Sequence, residues 1–154
     1  MFTHEIDVQI LEEGCYNCFI HQFEDMTATD EVLNHVDALC TDEGLTPIGQ
    51  AWRKIDEETA KRILWHFLKY DVVFYNSSNG DDDVVGYEFR RLLDSMHASF
   101  ITACWTNVTD TLQKNEIGFK RTGNLTHADK EAAVVIASMD CFLFFHVFGE
   151  FPED

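Results

Sequence analysis

The clearest periodicity in the chain runs from residue 56 to residue 68. Ala60, Ile63, Leu64, Phe67 and Leu68 recur at helical spacing, so one stripe of a helix is apolar. Asp56 is placed to cap that helix, and Glu57 and Lys61 form an i,i+4 pair on its surface. Val32, Val36 and Leu39 predict an earlier helix, entered through Thr27-Ala28-Thr29-Asp30 as a capping box and closed at Asp42-Glu43-Gly44. Thr46-Pro47 predicts the start of another helical segment, with Ile48, Trp52 and Ile55 along one side. Val85, Phe89, Leu92, Leu93, Met96 and Phe100 mark a further helix, preceded by a polar loop over 76–83.

Strand period is seen only near the start. Ile6, Val8 and Ile10 alternate with Asp7 and Gln9, and residues 16–23 form an aromatic-rich run beyond Glu12-Glu13-Gly14. Together they predict a β-hairpin. The run over 72–75 continues the clearest helix or gives way to a short strand, and 107–123 is irregular. Thr126-His127-Ala128-Asp129 offers a second capping box. The apolar stretch after it, Ala132 to Ala137 and then Cys141 to Phe148, predicts a central buried helix, or a helix followed by a buried strand. Asp140 and His146 interrupt this stretch and no basic flank follows, so it does not predict a membrane span. No internal repeat or linker divides the chain. The expected architecture is α+β and predominantly helical: one domain over 1–154, a helical layer with an N-terminal β-hairpin.

Composition changes the picture chiefly through charge. The formal net charge is −17 in 154 residues, and residues 1–50 hold eleven acidic side chains and no Lys or Arg. These are Glu5, Asp7, Glu12, Glu13, Glu24, Asp25, Asp30, Glu31, Asp37, Asp42 and Glu43. Such a field repels nucleic-acid backbones and anionic membranes, and it attracts and steers cationic proteins. The expected partner is therefore a cationic protein, toxin-like or nuclease-like, with no direct nucleic acid and no membrane. The expected contact residues are Glu12, Glu13, Glu24, Asp25, Asp30, Glu31, Asp37, Asp42 and Glu43. The ordinary alternative is an acidic face that serves solubility.

Candidate chemistry adds little. The five cysteines are an odd number, and Met1-Phe2-Thr3-His4-Glu5 has neither the basic start nor the apolar run of a leader peptide, so reduced thiols in a cytoplasm are expected. Cys15, Cys18, His35 and Cys40 are zinc-ligand types. Their spacing opposes a shared site, because Cys15 and Cys18 diverge on a strand while His35 and Cys40 lie about 140° apart on a helix. The Asp-rich loop at 81–83 matches no EF-hand register. No metal and no cofactor are expected. The chain has no His-Glu-x-x-His, Gly-x-Ser-x-Gly, P-loop or dinucleotide motif, and Cys141 and His146 read as buried structural residues. No catalytic residues are assigned.

In size, charge and absence of catalytic motifs the chain resembles acidic toxin-immunity proteins and nucleic-acid mimics as classes. The resemblance implies a cytoplasmic inhibitor or immunity protein that neutralises a nucleic-acid-handling toxin or enzyme. The alternatives are a nucleic-acid mimic from a phage or mobile element, an adaptor subunit, and an enzyme with a non-standard site around Tyr16, His21 and Phe23.

Overall fold

The computed structural model describes residues 2–12, 14–23, 27–70, 78–96, 100–109 and 120–150. Its elements in chain order are β1 (Phe2–Glu5), β2 (Tyr16–Gln22), α1 (Thr29–Asp42), a 3-10 turn (Gly49–Ala51), β3 (Arg53–Ile55), α2 (Glu57–Lys69), α3 (Asp82–Ser95), β4 (Ala103–Thr106), β5 (Lys130–Ala137) and β6 (Cys141–Gly149). The six strands form one sheet in the order β1-β2-β6-β5-β4-β3, and every neighbouring pair is antiparallel.

The sheet, rather than a helical layer, is the scaffold, which corrects the predominantly helical architecture expected from the sequence. The largest single error concerns 126–148. Residues 130–149 form the β5–β6 hairpin, with Lys130 opposite Gly149 and Ala137 opposite Phe142. Ser138 closes its turn, where the Ser138 Oγ accepts from the Asp140 and Cys141 amides. These two strands are central and buried on both faces, so they lack the polar alternation that betrays a half-buried strand. The β-branched run Val134-Val135-Ile136 suits a pleated surface.

Helices cover both faces. Val32, Val36, Leu39 and Cys40 of α1 join Phe19, Ala133, Val135, Phe142 and Phe144 on one side of the sheet. Ala60, Ile63, Leu64, Phe67 and Leu68 of α2, with Val85, Leu92 and Met96 of α3, join Cys18, Ile20, Val134, Ile136, Leu143 and Phe145 on the other. The product is three layers, α1 over sheet over α2–α3, and the period-2 alternation of β2, β5 and β6 feeds both cores.

Several local expectations shift. The N-terminal hairpin exists, but its first strand is Phe2–Glu5, and Ile6, Val8 and Ile10 belong to the connection that follows. Val8 is nevertheless fully buried in the α2–α3 core. Ala28, not Thr27, precedes α1, and no side chain caps it. Gly44 does take the left-handed conformation (φ 78°) that ends α1. The segment after Pro47 is a single 3-10 turn leading into β3, not a helix. The α3 stripe holds at Val85, Leu92 and Met96, whereas Phe100 lies beyond the helix and is 80% exposed. Residues 72–75 lie outside the described residues. Among the described residues no helix is long and apolar enough to cross a membrane.

Candidate functional site

The acidic third of the sequence divides between two sides of the molecule. Glu12 is exposed on the β1–β2 connection, whose Ile6, Val8, Ile10 and Leu11 pack with α2 and α3. Asp30, Glu31, Asp37, Asp42 and Glu43 belong to α1 and its C-cap on the opposite face. The nine expected contact residues therefore do not form one patch. Glu13, Glu24 and Asp25 lie outside the described residues.

On α1 the buried stripe turns Asp30, Glu31, Asn34, Thr41, Asp42 and Glu43 to solvent. Asp37 is half-buried and accepts a 3.2 Å hydrogen bond from the Trp52 indole, which ties the helix to the segment entering β3. Asp30 and Glu31 sit in the first turn, where the positive end of the helix dipole favours them. Asp42 and Glu43 sit at the negative end, where the dipole opposes them, and the last turn holds no basic residue. Among the described residues Asp30, Glu31, Asp42 and Glu43 make no salt bridge.

Helix α2 and the N-terminus of α3 show what compensation looks like. The Asp56 carboxylate caps α2 by accepting from the Thr59 amide at 2.7 Å, and the Thr59 side chain and amide together hold its pKa below the ordinary value. Glu57 and Glu58 open α2, while His66 and Lys69 close it. Asp81 caps α3 through the Val84 amide, and Lys69 meets Asp82 at 3.0 Å.

A second polar constellation, which motif reasoning missed, lies under the α1 side of the sheet. Glu131 of β5 and His146 of β6 are both fully buried. The Glu131 carboxylate accepts from Asn107 Nδ2 at 3.0 Å, the Leu125 amide at 2.8 Å, the Thr126 amide at 2.7 Å and the Thr126 hydroxyl. His146 Nε2 and Arg121 Nη1 each stand 3.7 Å from Oε1. Burial alone would raise the Glu131 pKa. The contacts from His146, Thr126 and the Leu125 amide outweigh it and hold the carboxyl below its ordinary range. Thr126, expected to cap a helix, instead anchors this carboxylate. The sequence signal was a lone acid beginning an apolar run, followed fifteen residues later by a lone histidine within one.

The remaining candidates are not brought together. Cys18 and Cys40 lie on opposite sides of the sheet, and burial raises both thiols, that of Cys40 to about 12. No disulfide joins the five cysteines, and among the described residues no three His, Cys, Asp or Glu side chains cluster to hold a metal ion. Cys141 and His146 point to opposite faces of β6, toward different layers. Around the hairpin, the Tyr16 hydroxyl accepts from the Val8 amide and donates to Asp7 on the α2–α3 side. His21 stacks on Phe142 on the α1 side, beside Phe23 and His35. Tyr16 and His21 thus face away from each other across the sheet. Trp52 and Trp105 are buried, and Trp65 packs edge-on against Phe89.

Comparison with protein-family models, with curated proteins and with solved structures finds no match.

Proposed function

We propose that the protein is a binding protein that captures a cationic protein surface through the exposed acidic side and C-terminal end of α1. Inhibition of a nucleic-acid-handling toxin or enzyme, in an immunity-type role, is the use we infer. One observation supports this reading above the others. Asp42 and Glu43 stand at the end of the helix that repels them, and its last turn holds no basic residue to offset the cost. A partner's Lys or Arg placed there would relieve the dipole conflict and the mutual repulsion together. Acids kept only for solubility are as effective at a helix N-terminus, where α2 places its own.

The test is capture of partners by immobilised protein at low and high salt, comparing wild type with an Asp30→Lys/Glu43→Lys variant and a Glu150→Lys control. The reading expects capture that weakens with salt, is lost from the α1 variant and persists in the control. Equal losses in variant and control would mean that net charge alone matters. Capture indifferent to both charge and salt would exclude the electrostatic reading.

A further inference from the structure

We infer that residues 121–128 form a strap held against the sheet by the buried carboxylate of Glu131, and that protonating this carboxylate releases the strap while the sheet stays formed. The inference does not depend on the binding reading, because every group involved lies within the chain.

The strap is tied mainly through polar groups. Among the described residues its one isolated β-bridge joins Val108 and Arg121. Asn107, fully buried at the end of β4, acts as a pivot. Its Nδ2 donates to the Gly123 carbonyl and to Glu131, its Oδ1 accepts from the Ala133 amide, and its carbonyl accepts from the Thr122 amide. Leu125 and Thr126 then close on Glu131 through two amides and a hydroxyl. Outside these bonds the strap rests on Leu125, whose side chain joins the core around Trp52 and Phe144 and whose carbonyl accepts from the Thr46 amide. Gly123 fits against Ile48 and Ala51 so closely that a Cβ there would lie 2.8–3.0 Å from their side chains.

The donor pattern makes the clasp one-directional. Asn107 Nδ2 and the Leu125 and Thr126 amides can only donate, while the Thr126 hydroxyl donates to Glu131 and accepts from the Ala128 amide. With Asn17 Nδ2 donating to His146 Nδ1 at 3.1 Å, the ring hydrogen falls on Nε2, which also faces Glu131. Titratable or charged neighbours are His146 from β6, Arg121 from the strap and Cys40 from α1. An ionised carboxylate accepts from the Asn107, Leu125 and Thr126 donors, with His146 Nε2 beyond hydrogen-bond reach at 3.7 Å. A protonated one adds a donor and gives up an acceptor site to this set, which leaves a buried polar group unsatisfied. Because the folded pKa is depressed, the clasp contributes its full stability above the unfolded value of about 4.3 and loses it as pH falls through the lower folded value.

Amide hydrogen exchange tests the inference. In wild type, after correction for the intrinsic rate, the Leu125, Thr126 and Thr46 amides should lose protection by about tenfold or more below pH 4.3. The Val134, Ile136 and Leu143 amides should retain theirs. Glu131→Gln replaces the carboxylate with a donor-bearing amide and should give the same selective loss at neutral pH. Simultaneous loss in strap and sheet as wild type is acidified would overturn the proposal, as would a Glu131→Gln strap that stays fully protected. If that variant does not fold, the wild-type acid series decides alone.

Discussion

Helices α1 and α2 have nearly the same length and bury the same kind of stripe, one on each face of the sheet, yet they are finished differently. Every terminus of α2 is chemically matched: Asp56 caps it, acids open it and His66 and Lys69 close it. In α1 the N-cap is Ala28 without a side-chain bond, and the C-terminal end carries Asp42 and Glu43 unopposed. A sequence shaped for stability alone would resolve these conflicts, because each local remedy is a single substitution. On the proposed function, α2 serves as scaffold and α1 as the surface on which another constraint acts.

The two helices should separate under mutation. The largest effect belongs to the scaffold: Phe67→Ala opens a cavity against Phe145 and should cost about 3–5 kcal/mol in urea unfolding. A loss below about 1 kcal/mol would show that α2 does not anchor the core. The next largest concerns binding. Asp30→Lys and Glu43→Lys should each weaken the partner complex by about 1–3 kcal/mol in titration calorimetry, with Glu58→Lys on α2 as the control that leaves affinity in place. Equal effects on the two helices would remove the distinction between them. Ala28→Ser should then stabilise the free protein by about 1 kcal/mol in thermal unfolding, by giving α1 the cap it lacks. The smallest effect is the most discriminating. Asp42→Lys should raise the stability of the free protein by about 0.3–1 kcal/mol at low salt while lowering affinity. Movement of stability and affinity in the same direction would contradict the assignment.

The same contrast explains what the sequence disclosed. The α2 stripe was legible because one face of the helix meets solvent, and its Asp56 cap followed from spacing. β5 was not, and β6 only as the buried strand of the alternative reading, because Ala132 to Ala137 and Cys141 to Val147 meet protein on both faces and no period survives. Ile6, Val8 and Ile10 alternate as a strand would, but only Val8 is fully buried and the ladder ends at Glu5. The acidic bias of α1 was plain in composition. The division of the acids between two faces was not, because it depends on the chain crossing the sheet between β2 and β3. Glu131 was hidden for a related reason: its partners at 107, 121, 125–126 and 146 meet only after the β4, β5 and β6 strands align.

The sheet order also governs when the molecule can form. β2 lies between β1 and β6, and the register joins Tyr16 to Val147 and Gln22 to Cys141. During synthesis the β1–β2 ribbon therefore waits for almost the entire chain before its inner edge is filled, and closing so distant a contact is slow. Throughout that wait the inner edge of β2 has no strand partner. A nascent chain halted before Cys141 should remain protease-sensitive across residues 1–50, and early protection of that region would contradict the ordering. Eleven like charges and no opposite ones along those residues keep neighbouring unfinished chains apart, so the segment that folds last is also the one least able to aggregate.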